Sequence, residues 1–227
     1  MSEQVPKPQS KTTHHNKTLS ESLRESVGES VGNKKEQQTK KSKQNICNAA
    51  IWCLDKYGYA ETSINRITKK ADVSRGALTH HFPCKEDLIV ESVQRLLART
   101  VKTGWQKKQN GTPTDYIREN IFWIWKNLDT VQGRALVEVL IASRTDKALN
   151  ARISDKLIHW NKKISSELLQ NHTFSGMDDA KIILLFDVCR TFFRGLLVQK
   201  SFVESEEELT QIATLFIEII APHFQKQ

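Results

Sequence analysis

Arg75, Thr79, His80 and His81 fall on one short stretch, interrupted only by Gly76, Ala77 and Leu78. A guanidinium near a helix start can fork onto guanine edges, a threonine can meet a phosphate or a thymine methyl, and small residues beside them let the backbone approach a groove wall. The chemistry on offer is nucleic-acid recognition, although an ordinary exposed helical hairpin carries the same spacing. His80-His81-x-x-Cys84 supplies metal-ligand types, but adjacent helical histidines diverge by about 100° and do not converge with the cysteine on one ion. Cys84 has no nearby thiol to act as a resolving partner. The sequence holds no G-x-S-x-G elbow, no glycine-rich phosphate loop, no H-E-x-x-H and no carboxylate cluster at ligand spacing. It therefore predicts no catalytic residue, metal or cofactor, and not an enzyme.

Two short helices must position that stretch. Thr62 and Ser63 are N-cap residues ahead of an amphipathic run in which Ile64, Ile67 and Ala71 share one face. Ala71-Asp72-Val73 breaks the pattern. Ser74 caps a second helix over residues 75–81, in which only Ala77 and Leu78 are apolar and available to dock inward. This is the pattern of a helix-turn-helix. Residues 42–57 predict a preceding helix with Ile46, Ala49, Ala50, Cys53, Leu54 and Tyr57 inward and Trp52 at the rim, ended by Gly58. Phe82-Pro83 closes the recognition helix, and a long helix opens at Lys85-Glu86-Asp87 and runs to Gly104.

Over residues 42–97, about a quarter of the chain, the sequence resembles the DNA-binding domain of the tetracycline-repressor (TetR) family of bacterial regulators. Gly58, Tyr59, Thr62, Ser63, Ile64, Ile67, Ala71, Val73, Ser74, Gly76, Ala77, Leu78, His80, His81, Phe82, Lys85, Glu86 and Leu88 match the family pattern in register. The resemblance implies phosphate contacts from Ser63, His80, His81 and Lys85, and base reading by Arg75, Gly76, Ala77, Thr79 and Asn65, around the cap Ser74. Two positions depart from it. Asp72 stands where the family usually has glycine in the turn, and aspartate tolerates the left-handed backbone at about 1 kcal/mol. Thr79 replaces a tyrosine that often reaches DNA, so its reach is shorter.

The charge distribution agrees with a nucleic-acid partner. The 227 residues carry a formal net charge of +8. Between residues 34 and 85 there are eleven Lys or Arg against four Asp or Glu, whereas residues 101–227 hold seventeen against fifteen. A basic face there neutralises phosphate and makes binding salt-dependent. Cys47, Cys53, Cys84 and Cys189 form no C-x-x-C pair and follow no secretory signal, which predicts reduced thiols in a bacterial cytoplasm. No apolar run is long enough to span a membrane.

Three segments are expected. Residues 1–40, poor in aromatics and rich in Ser, Gln, Lys and Glu, read as a disordered polar and basic arm. Residues 41–86 form the DNA-binding domain, and residues 87–227 form a larger helical domain for effector binding and dimerisation. Thr112-Pro113 opens a helix to about Leu128; further helices follow near residues 131–143, 147–170, 178–199 and 204–222. The fold class is all-α. The last two helices, about 178–200 and 204–222, are apolar on more than one face and call for a second partner; the resemblance implies a homodimer built on them. Trp105, Phe122, Trp123, Trp125, Trp160 and Phe174, with Arg144, His159 and Arg190 as polar handles, could line a pocket for a small, mostly apolar effector, or simply fill the core. Phe122, Trp125, Arg144, Trp160 and Arg190 are the effector candidates. The expected function is a ligand-responsive regulator, most often a repressor in this family, binding a near-palindromic double-stranded operator as a homodimer. A sequence-indifferent architectural DNA protein and a helical small-molecule binder with a vestigial head are the alternatives.

Overall fold

The computed structural model describes residues 15–102, 112–170, 174 and 176–224, with side chains placed over 36–99, 112, 114–170, 174 and 176–224. Among these residues there are helices and turns and no strand. The chain divides into two units, residues 1–45 and residues 46–227.

The first helix, α1, spans His15–Glu61. Composition predicts disorder through residue 40, yet the backbone is helical from His15: Glu, Gln and Lys are good helix formers, and a shortage of apolar side chains does not by itself stop a helix. Of the arm expected over residues 1–40, residues 1–14 lie outside the described residues. Gly58 interrupts helical geometry at φ 74°, ψ 173°, a backbone region open to glycine and strained for other residues. Thr62, predicted as a cap, is buried instead; its hydroxyl donates to the Gly58 carbonyl at 2.7 Å and locks that turn.

The head continues through α2 (Ile64–Ala71), α3 (Arg75–His81) and α4 (Lys85–Lys102). Ser63 and Ser74 cap α2 and α3, each accepting an amide N–H from the third residue on. Between the two helices Asp72 sits at φ 52°, ψ 51°, the left-handed conformation expected of it. Ile46, Ala50 and Cys53 of α1 close on Ile67, Leu78 and Leu88 to form the head's core. Leu78 alone anchors α3: Ala77, predicted to dock beside it, is exposed. Truncating a fully buried leucine costs about 2–5 kcal/mol, so the seating of α3 depends on this side chain. Tyr57 also turns outward at 39% exposed. Its ring meets the edge of Trp52 and lies under the Arg66 guanidinium at 4.3 Å.

The body comprises α5 (Pro113–Leu128), α6 (Val131–Ser143), α7 (Lys147–Leu169), α8 (Asp179–Gln199) and α9 (Glu206–Ile220), with 3-10 turns at Lys200–Phe202 and Ala221–Phe224. The starts of these helices are written in side chains. Thr112 and Asp115 make a reciprocal capping box, and Thr130, Asp146, Asp178 and Ser205 each cap the helix that follows. Two cores result. One joins the other face of α1 and α4, through Leu54, Ile89 and Val93, to Leu136, Leu149 and Ile153 of the body. The second packs α5, α8 and α9 around Ile121, Phe193 and Ile217. Because α1 and α4 contribute to both head and body, the recognition helix is mounted on elements that the body also holds. Gly104 and Trp105 lie outside the described residues.

Candidate nucleic-acid interface

With Leu78 inward, Ser74, Arg75, Gly76, Ala77, Thr79 and His80 are all exposed on α3 and at its cap. The side chains of Arg75 and His80 have no hydrogen bond or ion pair among the described residues, so their donors are open. A Cβ at Gly76 would meet only the Ser74 hydroxyl, at 3.9 Å. The helix surface around it is therefore low enough for a groove wall to approach. Thr79 differs from expectation: its hydroxyl donates to the Arg75 carbonyl, leaving a methyl and acceptor lone pairs outward. His81 is half-buried, tilted between His80 at 5.4 Å and Phe82 at 6.4 Å.

Ser63 and Asn65 are exposed at the start of α2. The Ser63 hydroxyl is already engaged by the Arg66 amide. Lys85 does not project freely. Its ammonium donates to the Tyr59 carbonyl at 2.8 Å and lies 4.4 Å over the Tyr59 ring; burial holds it below the usual lysine range. An ammonium has three donors, so the lysine both braces the Gly58–Tyr59 turn and keeps N–H groups for a phosphate. Spacing did not single out Arg66 and Lys70, whose charges rest on Tyr57 and Trp52 at 4.3 Å each. Their i, i+4 separation on α2 was the available signal.

The head is tied to the body by polar contacts that no local pattern announces. The Tyr59 hydroxyl donates to Asp146, the α7 cap, at 3.3 Å. Burial, reinforced by the Asp146 carboxylate, pushes the Tyr59 phenol up to about 12. Arg152 of α7 pairs with Asp87 of α4. Hydrogen bonds from Cys84 and Arg152 hold the Asp87 carboxyl below the usual carboxylate range. Arg134 of α6 grips both oxygens of Asp55 on α1, at 2.6 and 3.1 Å.

The effector candidates separate. Arg190 stacks over Trp160 at 5.2 Å and Phe186 at 5.0 Å and donates to Asn161. Trp125 is buried against Phe193, and Phe122 is half-buried beneath Lys126. Arg144 is exposed at the end of α6 and His159 is exposed on α7, so neither supplies a handle inside the body. An open groove of about 610 Å³ between α7 and α8 is lined by Asn161, Lys162, Ser165, Ser166 and Gln170 with Leu169 and Ile183. None of its lining side chains is aromatic, unlike the pocket expected. Among the described residues no group of His, Cys, Asp or Glu could hold a metal, and no helix is long and apolar enough to cross a membrane.

Residues 46–91 match the family of bacterial regulatory proteins, tetR family. Over this stretch, the helix-turn-helix region, the chain is a match to the TetR family. Among its relatives, the HTH-type transcriptional regulator AcrR of Shigella flexneri is 28% identical over 110 residues, 48% of this chain and 51% of AcrR; the match thus spans about half of AcrR's length. The HTH-type transcriptional repressor AcnR of Corynebacterium glutamicum is 25% identical over 179 residues, 77% of this chain and 89% of AcnR. The crystal structure of the multidrug binding protein EbrR complexed with ethidium shares the fold, with a TM-score of 0.54 at 19% identity over 79% of this chain and 98% of that one. The TetR-type division into a helix-turn-helix head and a helical C-terminal domain accounts for the two faces of α1 and α4.

Proposed function

We propose that this protein is a bacterial, cytoplasmic transcriptional regulator of the TetR family that binds a near-palindromic operator as a homodimer and leaves it when a small effector occupies the helical body. The observation that carries the reading is α3: a capped helix held by one buried leucine, presenting Arg75, Gly76, Ala77, Thr79 and His80 outward. Arg75 reads a guanine edge, the small residues permit close approach, and Asn65 and Thr79 touch neighbouring bases. Ser63, His80, His81 and Lys85 hold phosphates and set the register.

The dimer reading rests on apolar surface. On α8 Leu184 is 64% exposed, and Val188 and Val198 lie on the same stripe; on α9 Leu215 and Ile219 are exposed too. Gly195 sits in that stripe, and a methyl group added there would meet nothing within 4 Å, which lets a second backbone come close. Pairing two copies through α8 and α9 covers these side chains and sets two recognition helices on one face of a duplex. AcnR is named a repressor, and repression is the outcome proposed here. EbrR, of like fold, is a multidrug binding protein complexed with ethidium, and an effector in the body is proposed by that likeness.

The test is titration of the full chain against duplex from its own upstream region and against random duplex, over a range of salt. Arg75→Ala is expected to cost about 1–3 kcal/mol on the specific site and little on random DNA. Equal losses on both remove the base-reading assignment. Near-equal affinity of the parent for unrelated duplexes marks an architectural protein instead, and absence of salt-dependent binding marks a vestigial head.

A further inference from the structure

Along α8, Leu184, Val188, Thr191, Gly195 and Val198 follow one another at alternating spacings of four and three residues, and all five are exposed. That spacing keeps a single stripe on the helix, the pattern of a face that meets another helix. The stripe is close to its own mirror image. Leu184 and Val198 stand seven residues to either side of Thr191, and Val188 stands three before it where Gly195 stands four after. A two-fold contact is self-complementary, residue i meeting j while j meets i. A second α8 laid antiparallel across Thr191 therefore sets Leu184 against Val198 and Val188 against Gly195. A methyl group added at Gly195 would meet nothing within 4 Å, and that hollow is the seat a facing valine needs.

The charges beside the stripe agree with this register. Asp187 and Arg194 are seven residues apart and so lie on one edge of it, the edge from which Arg190 reaches Asn161 of α7. In an antiparallel pair each edge faces the same edge of the other copy. Asp187 stands four residues before Thr191 and Arg194 three after, so Arg194 faces the partner's Asp187 to within one residue, about 1.5 Å along the helix, and symmetry makes the pair twice. Both groups are open for it. Asp187 accepts from Arg190 through one oxygen and stays 47% exposed, and the Arg194 side chain has no hydrogen bond or ion pair among the described residues.

One further exposed side chain fits the same arrangement. Phe202, on the turn just past α8, is 85% exposed, a large apolar surface to leave in water. It stands eleven residues after Thr191 and so faces the partner's Ala180, one turn before Ile183. Ile183, with Leu169 and Gln170 at the end of α7, lines the open groove between α7 and α8. Leu169 and Ile183 are only half-buried, which leaves apolar surface in the groove for a ring to cover.

We propose that α8 pairs antiparallel with α8 of a second copy about Thr191, tied by Asp187 and Arg194 in both directions, and that Phe202 of each copy docks in the α7–α8 groove of the other. This rests on the homodimer reading and fixes its register. It makes the groove a seat for the partner chain and not the effector pocket.

The experiment uses the full-length chain. Thr191→Cys should form a disulfide-linked dimer under mild oxidation, with the bond mapped by mass spectrometry to residue 191 of both copies, because twin residues on the axis come within the roughly 7 Å between Cα atoms that a disulfide spans. Val198→Cys alone should not couple to its twin, but Leu184→Cys with Val198→Cys in one chain should couple 184 to 198; in this register 198 lies opposite 184, about 21 Å along the helix from its twin. In sedimentation velocity Arg194→Glu should weaken the dimer at least about tenfold, and adding Asp187→Arg should restore it to within about threefold. With the photo-reactive p-benzoylphenylalanine at position 202, irradiation of mixed light and heavy-isotope copies should join residue 202 to the 161–170 segment or Ile183 of the other copy. A chain that is monomeric at micromolar concentration removes the homodimer reading and this pairing together. A dimer in which Thr191→Cys does not couple, or Val198→Cys couples to itself, keeps the homodimer and overturns the register. Failure of Asp187→Arg to restore Arg194→Glu overturns the ion pair, and a photo-adduct within one copy or outside the groove overturns the docking of Phe202.

Discussion

Replacing Arg134 by methionine keeps most of the side chain's apolar stem and removes its guanidinium from the seam between head and body. That group donates Nε and Nη2 to the two oxygens of Asp55, at 2.6 and 3.1 Å, and Nη1 to the carbonyl and carboxylate of Asp129, at 2.8 and 3.1 Å. The Asp55 bond, ahead of Asp129, holds the guanidinium above its usual range. A fully exposed pair contributes about 0–1 kcal/mol, and removing one partner of a fully buried pair costs about 3–5 kcal/mol. Arg134 is 36% exposed and Asp55 only 13%, so the site lies between these limits. The expected cost of Arg134→Met is about 2 kcal/mol, a drop of about 4–8 °C in melting temperature for a chain of this size. Asp55→Asn should cost less, and the double variant should show a coupling of about 1–2 kcal/mol. Far-UV circular dichroism followed through thermal unfolding measures all four proteins. Repeating the series at about 0.5 M salt should reduce the coupling only partly, because half-buried pairs are screened less than exposed ones. A melting temperature within about 1 °C of the parent, or a coupling of zero, refutes the claim that this bridge holds the seam.

Three further outcomes follow from particular atoms. Asp72→Gly should raise stability by about 1 kcal/mol, or about 2–4 °C, since φ 52° suits glycine without a Cβ penalty; Asp72→Ala should lower it, and calorimetry compares the two. Gly133→Ala should destabilise by about 1–3 kcal/mol despite alanine's helix preference, because its Cβ would run into the Leu128 carbonyl and come to 2.5 Å from that of Asn127; a rise in denaturation midpoint would show that the α5–α6 turn gives way freely. Ultraviolet titration of the phenols should find one tyrosine ionising near 12 and missing in Tyr59→Phe. Because the folded value is raised above the ordinary value near 10, the stabilisation Tyr59 contributes is complete below pH 10 and is lost as pH rises through 12. Titration of all three tyrosines together near pH 10 excludes the buried Tyr59–Asp146 contact.

What was legible in the sequence was local. The serines at 63 and 74, the Thr112-Pro113 start and the residue pattern of α6 announce themselves because caps and helical periods act over three or four positions. Asp72 was read correctly for the same reason. Tyr57 and Ala77 were misjudged because a helical period gives a face but not its width, and the flanking helices leave only a narrow seat for Leu78. Thr62 looked like a cap and turned inward to serve Gly58, a choice made by the kink and not by the residue type. Arg144 and His159 looked like handles in a pocket because aromatic composition says nothing of which side of a helix faces the core. The Asp55–Arg134 bridge joins residues 79 positions apart, a separation at which spacing carries no information.

These long-range ties explain how a head read from local pattern could respond to a body that was not. Asp129, the second partner of Arg134, also accepts from Lys200 at 2.8 Å, and Lys200 reaches Glu206 at the start of α9 at 2.8 Å. Charges therefore run in series from α1, which seats α2 and α3, to the turn that ends α8. The links are unequal: Glu206 is 76% exposed and contributes little, whereas Asp55 is nearly enclosed. Lys200 directly follows α8, the helix bearing Arg190 and Arg194, so a shift of α8 along its axis moves the ammonium that Asp129 follows. Allosteric coupling in proteins is typically about 1–3 kcal/mol, no larger than the tie at Arg134 alone. Under the proposed reading, the head need not unfold or lose its core for DNA to be released; α8 has only to favour a position in which Arg134 can no longer satisfy Asp55 and Asp129 together.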